Sequence, residues 1–277
     1  MTSGTGDMSM PGKRQAEPIL SVEDLSVSFE GSRGSAKILE GIEFALYPGE
    51  VLALVGETGC GKSVTAKSLI DLIPQLSRQR AGHVSFNGRD LLRLSKSELG
   101  KVRGRSIAMI FQNPQSSITP VVSLGDLMYR LIRMYLPDEI AALCKKKQLK
   151  EKAAVHDIAQ EKLAEVGLTE ASRLLKSYAH EVSGGMAQRY KIALALLSSP
   201  EILIADEATS ALDVTVQAHI LKLLKEMSQK KSTAILFITH DLGIAAQICD
   251  RVAVMYSGRI VEIGDTLDIF QKPLHPY

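Results

Sequence analysis

The apolar positions along the chain fall into two textures. Over 19–29 and 42–46 apolar and polar residues alternate in part, the period of half-buried strands. Tyr47-Pro48-Gly49-Glu50 reads as a turn, and the unbroken apolar run Val51–Val55 after it reads as a strand buried on both faces. A glycine-rich stretch leads into a helical pattern carried by Val64, Ala66, Leu69, Ile70 and Ile73 and predicted to stop at Pro74. Val84 and Phe86 alternate ahead of an Asn87-Gly88 turn, and 107–111 is another short apolar run. From about 116 to 190 the strand-like runs vanish, and Leu124, Leu127, Met128, Leu131 and Tyr135 stand at helical spacing. The strand–helix rhythm then returns: apolar runs at 202–205 and 234–238, helical patterns at 218–227 and 242–249, and two short strands, 251–256 and 259–263, around Ser257-Gly258. Strands alternating with helices predict an α/β core. The expected organisation is a flexible tail over 1–17, a core over 18–115 and 191–277, and an inserted α-helical subdomain over 116–190.

Composition narrows the class. The chain has 277 residues, of which 45% are apolar and 23% charged, so a folded core is expected and general disorder is excluded. Its 33 basic and 31 acidic residues leave a net charge of +2, which gives no electrostatic case for nucleic acid as a partner. No apolar run approaches the roughly 20 residues of a membrane-spanning helix. The first 17 residues are polar and lack the apolar stretch of a signal peptide. Cys60, Cys144 and Cys249 are odd in number with no metal-ligand spacing, as expected of reduced thiols in a cytosolic protein. Lys145, Lys146, Lys147, Lys150 and Lys152 read as a solvated helix face, with a basic contact surface as the alternative.

Candidate chemistry begins after the buried strand. Gly56-Glu57-Thr58-Gly59-Cys60-Gly61-Lys62-Ser63 fits the phosphate-loop pattern, and it lies between a strand and a helix, as that pattern requires. Glycines let successive N–H groups turn inward around phosphate oxygens with no Cβ in the way. The helix that opens near Gly61 and continues through Val64 adds its positive end. Lys62 supplies charge to the β- and γ-phosphates and Ser63 a hydroxyl for Mg²⁺. This much implies a P-loop NTPase core, with hydrolase and nucleotide kinase both open. The apolar run at 202–205 ends in Asp206 and Glu207, placed to hold Mg²⁺ and to polarise an attacking water. Ser183 is a good N-cap, and Gly184 and Gly185 expose the amides of the turn it opens, a second anion-binding helix start. A kinase needs neither that second start nor a water-polarising acid.

At this point the chain resembles the ATP-binding cassette (ABC) ATPases, over nearly its whole length from Ile19 onward. The family's signature is usually LSGGQ; here Val182 replaces the Leu and Met186 the Gln, and the Ser-Gly-Gly centre is intact. Gln112 in Phe111-Gln112-Asn113-Pro114 looks like the Q-loop residue, Ser210-Ala211-Leu212-Asp213 like the D-loop, and His240 like the switch histidine. The resemblance implies a RecA-like P-loop core with an antiparallel β subdomain and the helical insertion as signature subdomain. It implies ATP and Mg²⁺ as cofactors and catalytic roles for Glu207, His240, Gln112 and Lys62. Nucleotide contacts are implied for Gly56, Glu57, Thr58, Gly59, Cys60, Gly61, Lys62, Ser63 and Val64. Ser183, Gly184, Gly185 and Asp213 would contribute across a head-to-tail dimer. Ser63, Gln112 and Asp206 would hold the metal. Phe29 is the candidate for stacking on adenine, and a strand-core role is equally open. The partners implied are a second cassette, identical or paralogous, two transmembrane permease subunits and an extracytoplasmic substrate-binding protein, with this chain peripheral on the cytoplasmic face of the membrane. More narrowly, Ile118-Thr119-Pro120-Val121, Met186, Asp213-Val214-Thr215-Val216-Gln217-Ala218 and His275-Pro276-Tyr277 look like the dipeptide, oligopeptide and nickel importer branch. That branch implies peptide uptake, with nickel or metal-chelate import as the alternative and a soluble non-transport ABC ATPase as a more distant one.

Overall fold

The computed structural model describes residues 17–31, 34–73, 78–112 and 118–277. The expected tail, apart from Glu17, lies outside the described residues, as do Pro74, Asn113, Pro114 and position 116.

The first strand, β1 (Leu20–Gly31), buries Leu20 and Val22 and then, one residue out of phase, Leu25 and Val27. The slip is a bulge: Asp24 has φ of 47°, and the register shifts beside it on both flanking strands. Alternation in the sequence is therefore only partial. β2 (Gly34–Leu46) begins well before the apolar run at 42–46, because its first residues are exposed and are held by pairing with β1 rather than by burial. After β3 (Val51–Val55), β4 (Arg78–Phe86) and β5 (Arg89–Asp90) complete an antiparallel sheet of order β2-β1-β4-β5.

The second sheet has the order β10 (Arg259–Asp265), β9 (Arg251–Tyr256), β3, β8 (Ala234–Thr239), β7 (Ile202–Asp206), β6 (Ile107–Ile110). It is parallel except for the β9–β10 hairpin. The strand period of two divides its side chains. Val51, Ala53, Val55, Leu203, Ala205, Ile235 and Phe237 pack on one side against helices. Leu52, Leu54, Ile202, Ile204, Leu236 and Ile238 pack on the other, against the antiparallel sheet and the first helix. Both faces are dry, and the strands accordingly read as unbroken apolar runs.

That helix, α1 (Lys62–Leu69), is shorter than the pattern reaching Ile73 predicts. Asp71, at φ 51°, donates its N–H to Ser68, and the Leu72 N–H reaches back to the carbonyl of Lys67. This pair of bonds around a left-handed residue is a helix-terminating Schellman turn. Arg103 takes up the carbonyls of Ile70 and Asp71 at 2.7 and 2.6 Å. α2 (Lys96–Val102) is a short connector opened by a Ser95–Glu98 capping box.

The helical stretch comprises α3 (Leu124–Tyr135), α4 (Pro137–Lys147), α5 (Glu151–Glu165), α6 (Ala171–Leu174) and α7 (Gly184–Leu196). Helix α7 runs straight through position 190. Buried Tyr190 donates its hydroxyl to the Leu124 carbonyl at 2.6 Å, tying α7 to the start of α3. Lys145, Lys146 and Lys147 are exposed on α4, and Lys147 pairs with Asp157. α8 (Val214–Lys231), α9 (Leu242–Ile248) and α10 (Thr266–Gln271) complete the chain's helices among the described residues.

Candidate functional site

Strands β3, β8, β7 and β6 are neighbours running the same way, so their carboxyl ends share one edge. The register sets Val55 opposite Thr239, Asp206 opposite Ile238 and Ile110 opposite Ala205. The segments leaving those ends carry 56–63, 240, 207 and 112. This edge is where open α/β sheets place their ligands.

The loop from Gly56 to Ser63 is pressed against its surroundings. Gly56 has φ of 153°, and a Cβ there would collide with the Met255 carbonyl oxygen. The Cys60 carbonyl accepts the Gly258 N–H at 2.9 Å, and Cys60 itself is buried. Thr58 and Gly59 form the exposed tip. The first helical bond is Thr65 N–H to Gly61 O, so the amides of Lys62, Ser63 and Val64 have no acceptor within α1 and stand at its positive end. Val64 also packs against the core under the antiparallel sheet. The Lys62 ammonium is buried and donates to the carbonyls of Gly56 and Glu57, each at 2.7 Å.

Two polar sets sit beside this loop. The Ser63 hydroxyl donates to Asp206 Oδ1 at 3.0 Å. Asp206 is 1% exposed. Burial raises its carboxyl above the ordinary value, opposed by the Ser63 hydrogen bond and the charges of Lys67 and Lys62. Glu207 forms the second set. Its backbone is left-handed, with φ of 47°, and its N–H donates to the Ile238 carbonyl. This conformation, which costs a non-glycine residue energy, lays its carboxylate between Gln112 Nε2, which donates to Oε2 at 2.7 Å, and His240 Nδ1, 3.2 Å from Oε1. The Glu207 side chain is 15% exposed and that of His240 58%. A hydroxyl and a carboxylate are the hard oxygens that Mg²⁺ uses together with phosphate oxygens. Among the described residues no group of three or more His, Cys, Asp or Glu is placed to hold a metal ion.

The other sequence-predicted residues lie elsewhere. Ser183 is exposed at the start of α7 and accepts the Met186 N–H at 3.3 Å. A Cβ added at Gly185 would meet the Ala211 carbonyl at 3.5 Å and Leu212 at 3.8 Å. Among the described residues the hydrogen bonds of this turn are thus to its own helix, from the Met186 N–H to Ser183 and from Arg189 Nε to the Gly185 carbonyl. Asp213 is exposed and caps α8 by accepting the Val216 N–H at 3.0 Å. Phe29 is half-buried on β1 and packs against the core that also holds Cys60.

Three connections go beyond what the sequence pattern anticipates. Buried Gln188 donates to the Ala208 carbonyl at 2.6 Å, one residue beyond Glu207. Buried Lys191 donates to the Phe111 carbonyl at 2.6 Å, one residue before Gln112, and burial pushes its ammonium down to about 8. Helix α7 therefore grips both flanks of the Gln112–Glu207 pair. The one available signal was a lysine set among Tyr190, Ile192 and Ala193. Finally, the Glu57 N–H donates to the Tyr277 hydroxyl at 2.9 Å.

The family model described as ABC transporter matches residues 39–210. The dipeptide transport ATP-binding protein DppD of Bacillus subtilis (strain 168) is 45% identical over 262 residues, covering 94% of this chain and 75% of that protein. The oligopeptide transport ATP-binding protein OppD of Escherichia coli (strain K12) is 42% identical over 265 residues, covering 96% and 75%. Among solved structures, the dimeric post-hydrolysis ATP-binding cassette MJ0796 bound to ADP and Pi aligns with a TM-score of 0.76, covering 89% of this chain and 98% of that one. At 22% identity that likeness is one of fold, and it agrees with the P-loop α/β class read from the sequence.

Proposed function

This chain belongs to the ABC transporter family, and on that premise we propose that it is the ATP-hydrolysing subunit of an importer that drives peptide uptake through a membrane permease. The observation that carries the hydrolytic reading is the seating of Glu207 between Gln112 and His240, beside the Ser63–Asp206 pair and the amide-lined loop. The peptide reading is supported by relatives named as dipeptide and oligopeptide transport ATP-binding proteins.

In this reading the amides at the start of α1 and the Lys62 ammonium neutralise the triphosphate and the charge that develops on the transferred group. Ser63 and Asp206 would hold Mg²⁺, with the Gln112 amide completing its surroundings; when bound, the ion would supply charge neutralisation to the phosphates. Glu207 accepts a hydrogen bond from the attacking water and orients it, Gln112 keeps that carboxylate in place, and His240 fixes the γ-phosphate side. Phe29 stacks against the adenine. Ser183, Gly184 and Gly185 contribute from a second cassette in a head-to-tail dimer, where Asp213 joins the two sites. Closure on ATP and loosening after hydrolysis then move two permease subunits, fed by an extracytoplasmic binding protein. Among the described residues no helix is long and apolar enough to cross a membrane, which suits a peripheral subunit on the cytoplasmic face.

The test uses vesicles carrying the chain with its permease partners. Glu207→Gln should keep ATP bound and lose phosphate release by about 10²–10⁴-fold. Wild-type turnover in that variant would remove Glu207 from its role. Dipeptide accumulation should require ATP and the wild-type chain, and vesicles that hydrolyse ATP yet accumulate only other cargo would overturn the peptide assignment.

A further inference from the structure

We propose that Tyr277 is a positioning residue of the phosphate loop, holding the Glu57 amide so that the loop keeps its shape when Lys62 turns from the loop's carbonyls to a nucleotide's phosphates. The inference rests on the ATPase reading and extends it to a segment that reading leaves unused.

The Lys62 ammonium bridges the carbonyls of Gly56 and Glu57. Turning those two N–H groups to phosphate means leaving both carbonyls. Of the bonds that then remain on Glu57, one is internal and long, from the Cys60 N–H at 3.3 Å. The other comes from outside the loop: the Tyr277 hydroxyl accepts the Glu57 N–H at 2.9 Å. The Gly56–Glu57 peptide unit is thus held from two sides, by Lys62 on its carbonyl and by Tyr277 on its N–H, and of these two bonds the Tyr277 one survives the movement of Lys62.

Tyr277 is itself anchored. Its ring packs on Tyr256 at the end of β9, with centroids 4.9 Å apart. Its N–H donates to His275 Nδ1 at 3.1 Å. The N–H groups of Leu274 and His275 both donate to the carboxylate of Glu262 on β10, at 3.0 and 2.9 Å. Pro276 fixes φ between these anchors. A continuous chain of bonds therefore runs from β10 through Glu262 and 274–277 to the phosphate loop. A cavity of about 590 Å³ lies on this side, lined among others by Glu57, Thr58, His240 and Tyr277. The segment thus borders the same space as the residue proposed to hold the γ-phosphate. A loop already in its binding shape pays less ordering entropy when a ligand arrives.

The test is Tyr277→Phe in the full chain, which keeps the ring on Tyr256 and removes the acceptor. The Glu57 amide should exchange with solvent hydrogen faster in nucleotide-free protein. KM for Mg-ATP should rise about two- to tenfold, the value of one neutral hydrogen bond, with kcat within about twofold and Tm unchanged. Glu262→Ala, which frees the anchor, should raise KM similarly, and the double variant should add little to either single one. Wild-type KM and wild-type Glu57 exchange in Tyr277→Phe would overturn the proposal. So would a KM rise accompanied by a lower Tm and faster exchange throughout the chain, since that marks a structural role. A wild-type chain that binds no Mg-ATP is the separate failure of the ATPase reading.

Discussion

Single residues divide by whether their chemistry dictates their spacing. Gly56, Lys62, Ser63, Asp206 and Glu207 were proposed from chemistry, because a phosphate site calls for those residue types at and just beyond strand ends, whereas Gln112 and His240 entered only through the family resemblance; the sheet register brings the strand ends that precede them together. Lys191 was in neither group, because a buried amine finds its partner only through tertiary packing. It yields a pH prediction. Burial pushes its ammonium from an ordinary 10.5 down to about 8. Between those values the unfolded chain binds more protons than the folded one, so stability from this group rises as pH climbs through the window, while below about 8 the cost of the buried charge is fully present. Raising the pH from about 7 to 10 should therefore shift the urea midpoint of the wild type upward relative to that of Lys191→Met. Parallel midpoints over that range would show that Lys191 is not the titrating group.

At the level of elements, boundaries departed from the sequence pattern wherever something other than burial set them. β2 starts early because pairing with β1 holds exposed residues. α1 stops early because Asp71 adopts a left-handed turn that hydropathy does not encode. β1 changes phase at the Asp24 bulge. Caps are the opposite case, since the cap residue type can be read directly. Asp213 caps α8, and it is also the residue proposed to join two sites. The roles separate by substitution. Asp213→Ala should lower unfolding free energy by about 0.5–2 kcal/mol, whereas Asp213→Asn, an equally good cap, should leave it within about 0.5 kcal/mol. If phosphate release by the assembled transporter falls in the Asn variant with stability kept, the carboxylate acts beyond the cap; unchanged release would confine Asp213 to capping.

For the whole molecule, the telling observation is that the Ser183–Gly185 turn opens α7 with Ser183 exposed and bonded to its own helix. In the dimer reading it serves a neighbour. Ser183→Arg should leave ATP binding by the isolated subunit intact and stop turnover in the assembled transporter, and unaltered turnover would end the shared-site account. Helix α7, which begins with that turn, also holds the carbonyls flanking Gln112 and Glu207. The parallel sheet adds a constraint on engineering. Its odd and even side chains belong to two different linings, helices on one side and a second sheet on the other. A hybrid gene that takes its helical insert from one relative and its strands from another would mate mismatched surfaces along half of every strand. Recombinants should survive only when alternate strand positions travel with the layer that covers them.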